Sequence, residues 1–223
     1  MIGDKLTLVI AHCKNKEVLD IGCVEHFEYT PEKMRNTLHY RLKPYTKKLV
    51  GIDIVEQGVH ALNLLGCDCR VAFAEEIQQD FGKFDVILLG DVIEHAPDPC
   101  TLLTNLRPLL KKNGTIICTT PNALSFTNLA FLLMGKRITR HQHVAWYCRV
   151  TLKNLFLYSG YKEINTYYTC YWKTTKKKWR IPLEKLIFRI NEEYAPGLLG
   201  IFRPDPSFKI AKKKQLQKKR LHI

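Results

Sequence analysis

Glu17-Val18-Leu19-Asp20-Ile21-Gly22-Cys23 is the stretch of sequence that decides the fold. Its apolar residues predict a short buried strand, which ends in an acidic residue and a tight glycine turn. A second strand of this kind, Leu49-Val50-Gly51-Ile52-Asp53-Ile54, follows about thirty residues later. Two parallel strands joined by a crossover helix place a nucleotide site at their carboxyl ends. Gly22 lets the backbone approach a ligand closely, and Asp53 is suited to accept hydrogen bonds from both hydroxyls of a ribose.

Apolar runs alternate with helix-length polar segments along the rest of the chain. Strands are predicted at 17–21, 49–54, 69–73, 84–89, 115–120 and 164–170. Helices are predicted at 31–45, 55–65, 101–110 and 150–158, with Lys112-Asn113-Gly114 as a helix stop before the next strand. This alternation predicts an α/β fold in which a parallel sheet is covered by helices on both faces.

Length and composition are those of a globular protein. The chain has 223 residues, 46% of them hydrophobic, which suits one domain with an appendage. Since no run of roughly 18 apolar residues occurs, we expect no membrane-spanning helix, and the apolar stretch 6–11 is too short for a secretory signal. The eight cysteines are scattered without paired CxxC spacing, which predicts reduced, mostly buried thiols in a cytosolic protein.

The net charge of +14 is concentrated near the carboxyl terminus. Residues 173–223 hold 15 Lys or Arg against 4 Asp or Glu, so the other residues carry a net charge of only +3. Such an asymmetry favours an anionic partner, either nucleic acid, an acidic membrane face or a phosphorylated substrate, with a solvated tail as the alternative. An apolar helix is predicted within 121–135, and an amphipathic helix at 182–194 with Leu183, Leu186, Ile187 and Ile190 inward. The apolar helix is expected to pack on the sheet or to form a lid that docks at a membrane interface.

Several segments, in order, resemble the motifs of class I S-adenosylmethionine-dependent methyltransferases. Asp20-Ile21-Gly22-Cys23 resembles the first motif, Asp53 the acid that binds the ribose, and Ala74-Glu75-Glu76 the third motif, which meets adenine. The segments 84–87 and 91–99 resemble the fourth motif and its extension, and 106–114 resembles the helix and turn before the fifth strand. Thr120-Pro121-Asn122 and His143-Val144-Ala145-Trp146 are similar to substrate-side segments of quinone and glycan methyltransferases. Together these segments cover residues 17–165.

The resemblance implies a Rossmann-like fold with a mostly parallel seven-stranded sheet, an antiparallel edge strand and helices on both faces. Residues 1–172 are then the methyltransferase domain, with a helical insert around 121–147, and 173–223 form a basic C-terminal extension that is expected to complete the same domain. The implied cofactor is S-adenosyl-L-methionine. Its implied binding residues are Asp20, Gly22, Cys23, Asp53, Ile54, Ala74, Glu75 and Asp91.

The chain departs from the family pattern in three places. The glycine loop has a single glycine, followed by Cys23 and the bulky Val24 and His26, which is expected to change how the loop wraps the methionine end. The interval from Gly22 to Asp53 is longer than in a dinucleotide fingerprint, and the insertion at 28–45 is expected to lengthen the first helix. Phe73 replaces an acid, so adenine recognition is expected to rest on backbone and apolar contacts.

Methyl transfer to a hydroxyl needs an acceptor held in line and a group that removes its proton. His95 follows the fourth strand and His143 follows the fifth, so both are candidate catalytic residues at the acceptor. The alternative is a divalent metal held by Asp91, Glu94 and His95 on one helical turn, with His143 or His141 as a distant fourth ligand. Quinone-biosynthetic and small-RNA 2′-O-methyltransferases carry a similar Glu-x-x-Glu-His with a later His for magnesium or a related ion, and here the first position is Asp.

We therefore predict S-adenosylmethionine-dependent O-methylation of a sugar in a surface glycan or lipid-linked precursor, because 120–161 most resembles methyltransferases of that kind. The first alternative is a quinone-type small-molecule or RNA 2′-O-methyltransferase with a divalent metal. The second is an inactive methyltransferase fold that binds nucleic acid through its basic tail. A nicotinamide-dependent reductase would need a fuller glycine fingerprint than Gly22-Cys23-Val24. The expected location is the cytoplasm, peripheral to the inner face of a membrane.

Overall fold

A computed structural model describes residues 2–25, 28–74, 77, 81–136, 142–172 and 178–208, except for the side chain of Arg180. The described strands are β1 (Ile2–Asp4), β2 (Glu17–Ile21), β3 (Lys48–Asp53), β4 (Asp68–Val71), β5 (Phe84–Gly90), β6 (Leu110–Pro121), β7 (Tyr161–Cys170) and β8 (Gly197–Pro204). The described α-helices are α1 (Lys5–Cys13), α2 (Pro31–Met34), α3 (Leu38–Leu42), α4 (Glu56–Leu64), α5 (Pro99–Leu106), α6 (Phe126–Leu133), α7 (Arg149–Tyr158) and α8 (Ile181–Ile190).

One mixed sheet organises the described part of the chain. Its eight strands lie in the order β1-β7-β8-β6-β5-β2-β3-β4. All neighbouring pairs are parallel except those that β8 makes with β6 and β7. The strand order reverses between β2 and β5, and ligands of α/β sheets bind beyond the carboxyl ends of the strands at such a point. The predicted α/β class, with a mostly parallel sheet, is confirmed.

The sheet differs from the prediction at its edge and in its interior. The described residues form eight strands rather than seven, because Ile2–Asp4 adds a short strand beside β7. The antiparallel strand β8 lies between β6 and β7 instead of at the edge, with hydrogen-bonded neighbours on both sides. Neither β1 nor β8 was predicted. A three-residue strand such as β1 has no readable period. β8 lies in the segment after residue 172, which was interpreted as a basic extension, and its pairing depends on the distant strands β6 and β7.

Alternate residues of β2 face the two layers of helices. Leu19 and Ile21 belong to a core that also contains apolar residues of α5 and α7. Val18, on the opposite face, belongs to a second core that contains Val9 and Cys13 of α1. Helices therefore cover both faces of the sheet, and the carboxyl end of β2 is held from both sides.

Two predicted helical segments are wrong in detail. The insertion at 31–45 forms α2, α3 and a 3-10 turn at Lys43–Tyr45 rather than one long helix. Thr37 causes the break, because its Oγ1 accepts a hydrogen bond from Tyr40 N at 3.2 Å and so starts a new helix. Helix α5 ends at Leu106, so Lys112-Asn113-Gly114 lies within β6 and does not stop a helix.

The apolar face of α8 is oriented differently from the prediction. Phe188 is buried and Ile187 packs against the core, whereas Leu183, Leu186 and Ile190 are exposed by 55%, 59% and 76%. Their side chains therefore belong to the surface. Within the described residues, no helix combines the length and the hydropathy needed to cross a membrane.

Candidate active site

Gly22 makes the turn that follows β2 at the reversal of strand order. Its φ of 72° lies in the left-handed region, and a Cβ there would lie 2.4 Å from Cγ2 of Val92. Its N–H and that of Cys23 both donate to the carbonyl oxygen of Ile52, at 2.9 Å and 3.2 Å. Only glycine fits both this backbone conformation and the close approach of Val92. The two hydrogen bonds to Ile52 hold the loop directly at the end of β3.

Val24 is the bulky residue that follows in the loop, and it is buried against α4. A Cβ on Gly58 of α4 would lie 2.2 Å from Cγ1 of Val24, so the missing side chain of Gly58 makes room for it. The loop therefore accommodates its extra bulk on the helix side. His26, the other bulky residue in the prediction, lies outside the described residues.

Asp53 ends β3 and joins the loop to the next helix. Its Oδ2 accepts a hydrogen bond from Val24 N at 2.9 Å, and its Oδ1 accepts one from Val55 N at 3.0 Å. Burial raises the pKa of Asp53, against the lowering effect of these backbone N–H groups. Each carboxylate oxygen has a second lone pair, so hydrogen bonds to ribose hydroxyls remain compatible with this arrangement.

The other predicted cofactor contacts lie in different environments. Ile54, next to Asp53, is 59% exposed, and Ala74 is half-buried. Cys23 is buried, and Glu75 lies outside the described residues. The Asp20 carboxylate is also buried, and it accepts a hydrogen bond from Nδ1 of His39 at 2.9 Å. The sequence did not indicate this partner, because His39 lies in the insertion between β2 and β3.

Asp91 follows β5, and its carboxylate is hydrogen-bonded to Lys5, a partner that the sequence did not indicate. Its carboxylate accepts hydrogen bonds from Lys5 Nζ and, at 2.8 Å, from Thr119 Oγ1. Burial tends to raise the pKa of Asp91, but the Lys5 ammonium outweighs it and the pKa is lowered. The φ of Asp91 is 57°, and turns follow it, so the predicted helical turn that would align Asp91 with Glu94 and His95 is absent from this described segment.

Glu94, His95 and His143 form the group of donor atoms at this edge of the sheet. One ligand atom from each lies within 4.8 Å of the others. Val144 N and Ala145 N both donate to the carbonyl oxygen of Glu94, at 2.9 Å and 3.2 Å, and these bonds bring His143 to His95. The two imidazole rings meet edge to face with their centroids 4.7 Å apart. The predicted pairing of His95 with a later histidine is therefore present, while Asp91 is not part of this group.

Glu94 differs from an ordinary surface carboxylate in its burial and in its pKa. Glu94 is 2% exposed, and its Oε2 accepts a hydrogen bond from Thr120 Oγ1 at 3.0 Å. Burial and the nearby Asp91 carboxylate raise the pKa of Glu94 to about 7. His95 Nδ1 donates to the carbonyl oxygen of Gln142 at 2.9 Å, which makes Nε2 the basic atom of that ring. The arrangement is suited to holding a cation or to exchanging a proton.

Comparison with known protein families identifies the family of this chain. A family described as "Methyltransferase domain" matches residues 3–165. The chain belongs to this methyltransferase family. Its cofactor is S-adenosylmethionine, as in its structural neighbours of the class I fold.

Relatives of this methyltransferase include "Ubiquinone biosynthesis O-methyltransferase" from Cereibacter sphaeroides, which is 36% identical over 81 residues. That match covers 34% of this chain and 33% of the relative, so the chain spans about a third of the length of that curated protein. A methyltransferase of known structure from Archaeoglobus fulgidus is 18% identical, with a TM-score of 0.61 and coverage of 89% of this chain and 90% of that one. The magnesium protoporphyrin IX methyltransferase of Synechocystis, solved with S-adenosylhomocysteine, gives a TM-score of 0.56 at 15% identity, over 88% and 80% of the chains.

The segments that were predicted to lie on the substrate side of the methyltransferase have structural roles. Asn122 Nδ2 donates to the carbonyl oxygens of Glu193 at 2.7 Å and Ala195 at 2.9 Å, and so ties the end of β6 to the segment before β8. Trp146 Nε1 is buried and has no hydrogen-bond partner among the described residues.

Proposed function

We propose that the protein transfers a methyl group from S-adenosylmethionine to a hydroxyl of an apolar aromatic acceptor, and that Glu94, His95 and His143 hold a divalent cation beside it. The observation that carries this proposal is the convergence of one carboxylate and two imidazoles at the end of β5. The groups come from two segments 48 positions apart, and backbone hydrogen bonds to Glu94 hold them together.

The donor set fits a divalent cation. Carboxylate and imidazole ligands suit ions such as Mn²⁺ and Zn²⁺, and ligating histidines commonly donate their second N–H to a carbonyl or carboxylate. His95 does so through Gln142, which fixes the ring orientation. A bound cation would supply a positive charge that lowers the pKa of an acceptor hydroxyl.

The chain's own residues position the reactants. In the reaction, an O–CH₃ bond forms, the S–CH₃ bond breaks, S-adenosylhomocysteine leaves and the hydroxyl proton passes to water. The Gly22 turn and Asp53 hold the cofactor side, because their backbone contacts fix the loop at the ends of β2 and β3. Thr120 orients Glu94, and the 143–145 segment closes over the acceptor side.

An aromatic rather than a sugar acceptor is supported by two observations. The curated relatives carry the name "Ubiquinone biosynthesis O-methyltransferase". The helix that follows Asn122, α6, has no buried residue and leaves Leu129, Leu132 and Leu133 exposed. The sugar acceptor predicted from the sequence stays a prediction, and the next experiment distinguishes it from the aromatic acceptor.

Methyl transfer from isotopically labelled S-adenosylmethionine to two probe acceptors, a catechol and a methyl hexoside, tests the acceptor class. We expect methyl transfer to a catechol with a short alkyl tail, loss of that transfer after treatment with EDTA, and recovery on addition of Mg²⁺ or Mn²⁺. A methyl hexoside is the matched acceptor without an aromatic ring. Transfer to the hexoside alone would contradict the aromatic acceptor, and full transfer in EDTA would contradict the cation.

A lipophilic acceptor is also supported by a second surface, which consists of exposed apolar side chains of α6 and α8. The ring of Phe126 in α6 meets that of Tyr194 just after α8, with centroids 6.3 Å apart. We call this surface the apolar face. Its exposed side chains are Leu129, Leu132, Leu133, Met134, Leu183, Leu186 and Ile190.

Charge complementarity favours an anionic membrane as the partner of the apolar face. Lys136 follows α6, Lys178 precedes α8, and Lys185 and Arg189 lie within α8. Interfacial helices combine exposed apolar residues with Lys and Arg in this way. Such a surface would bring the protein to an acceptor dissolved in the bilayer.

Vesicle binding tests the apolar face. We expect the protein to bind vesicles of phosphatidylcholine and phosphatidylglycerol, and to bind less at high salt because the charges are screened. Changing Leu133, Leu186 and Ile190 together to Ser should weaken binding at least about tenfold, since buried apolar area is lost. Leu64→Ser, at a leucine of α4 that is 65% exposed, is the matched control. Equal binding by the triple variant, or preference for a single-stranded RNA over these vesicles, would contradict the proposal.

A further inference from the structure

A second group of metal-binding side chains lies inside the protein, behind the cofactor loop. Cys23, His39 and Cys69 are all buried, and one ligand atom from each lies within 4.8 Å of the others. Sγ of Cys69 lies 3.3 Å from Nε2 of His39. Eight free cysteines occur in the described residues, and two of them meet at this point.

Three separate elements supply this group. Cys23 comes from the loop after β2, His39 from α3 in the insertion, and Cys69 from β4. Gly51 of β3 lies beneath them. A Cβ on Gly51 would lie 2.7 Å from Sγ of Cys69, 2.8 Å from Sγ of Cys23 and 2.8 Å from Cε1 of His39. The absence of a side chain at Gly51 therefore leaves the space in which the three donors converge.

Cys67 is the candidate for a fourth donor. It lies two residues before Cys69, is half-buried and neighbours His39 and Cys69, but its Sγ is outside the set of donor atoms that all lie within 4.8 Å of one another. Three sulfurs and one imidazole nitrogen are a donor set of structural zinc sites, which are four-coordinate and tetrahedral.

The orientation of His39 agrees with a ligand. Its Nδ1 donates to Asp20 at 2.9 Å, and its Nε2 points toward the thiols. Metal-ligating histidines almost always donate their second ring N–H to a carboxylate, a carbonyl or water, because this fixes the tautomer and the ring plane. The buried Asp20–His39 pair supplies this arrangement.

We propose that Cys23, His39 and Cys69, joined by Cys67 after a rotation of its side chain, bind one Zn²⁺ ion that fixes the cofactor loop to the insertion and to β4. Binding would displace the thiol protons, because the thiolate is the ligand. The ion has a structural role, since Cys23 directly follows the Gly22 turn and a link from Cys23 to α3 and β4 restrains that turn. This site is separate from the Glu94 group, which contains no sulfur.

Metal analysis of the unmodified protein tests this site without any variant. Protein produced in zinc-containing medium should retain at least about one Zn²⁺ per chain after dialysis, and Glu94→Gln should retain this ion as well. Replacement with Co²⁺ should give thiolate-to-cobalt charge-transfer absorption in the near ultraviolet and strong visible bands of a tetrahedral ion. The group of Glu94, His95 and His143 cannot produce the charge-transfer band, so the spectrum distinguishes the two sites. Removal of the zinc should lower the melting temperature by roughly 5 °C or more.

Single substitutions test which side chains bind the ion. Cys69→Ser should abolish the charge-transfer band, whereas Glu94→Gln should keep it. Cys148→Ser is the matched control, because Cys148 lies outside the group, at the start of α7. The proposal is overturned if the native protein shows no charge-transfer band with Co²⁺, if Cys69→Ser keeps the band, or if peptide mapping finds Cys23 and Cys69 joined as a disulfide.

Discussion

Replacement of Glu94 with Gln is expected to lower kcat/KM for methyl transfer at least about 100-fold, because the bound cation that lowers the pKa of the acceptor hydroxyl would lose a ligand. Gln keeps the shape of the side chain and a hydrogen bond with Thr120, but it removes the negative charge beside His95 and His143. Under the proposed function, this change removes a ligand of the cation. The measurement is steady-state kinetics with the catechol probe.

The affinity for S-adenosylmethionine separates this effect from a folding defect. Titration calorimetry should show that Glu94→Gln binds the cofactor within about threefold of the native protein, because the proposed function places Glu94 on the acceptor side. Glu32→Gln changes an exposed carboxylate in α2 and is the matched control. A Glu94→Gln protein that binds cofactor and retains full turnover would exclude Glu94 from the reaction.

Asp53→Ala is expected to weaken binding of S-adenosylmethionine at least about tenfold. The loss has two origins. The carboxylate would no longer bind the ribose, and the N–H groups of Val24 and Val55 would lose their acceptor. Hydrogen bonds to charged groups contribute about 1.5–3 kcal/mol each, so one lost ribose contact already accounts for a tenfold change.

A thermodynamic cycle distinguishes the two origins. The native protein and Asp53→Ala are each titrated with S-adenosylhomocysteine and with its 2′-deoxy analogue. If Asp53 binds the ribose, removal of the hydroxyl weakens binding to the native protein and has little further effect on Asp53→Ala. An equal loss in both proteins would mean that Asp53 acts only through the loop. Asp68→Ala, at an exposed carboxylate of β4, controls for the change in charge.

The strands nearest the cofactor were predictable because their signals are local. β2 runs over Glu17–Ile21 as predicted, β3 is shifted by one residue toward the amino terminus, and β5 is longer than predicted by one residue. Their apolar runs and the following glycine or acid are contained in a few neighbouring residues. The insertion at 31–45 was less predictable, because the cap at Thr37 competes with a continuous apolar stripe and starts a new helix.

The partners of the predicted site residues were less predictable. Asp20 was interpreted as a cofactor contact, and the structure pairs it with His39 inside the protein. Asp91 was predicted to contact the cofactor, with a metal group that includes Glu94 as the alternative, and the structure pairs it with Lys5 of α1, 86 residues away. A long separation along the chain carries no local pattern, so only the packing of α1 and α3 against the sheet identifies these partners.

The sequence alone determined that this chain forms an α/β sheet and carries the cofactor motifs of a class I methyltransferase, because both depend on short local patterns. Tertiary structure decided which side chains act together. The scattered cysteines showed no zinc spacing, yet Cys23, His39 and Cys69 converge because β2, β3 and β4 are neighbours in the sheet and Gly51 leaves space between them. Glu94, His95 and His143 converge for the same physical reason, since contacts between distant residues are set by strand order and backbone hydrogen bonds and not by spacing along the chain.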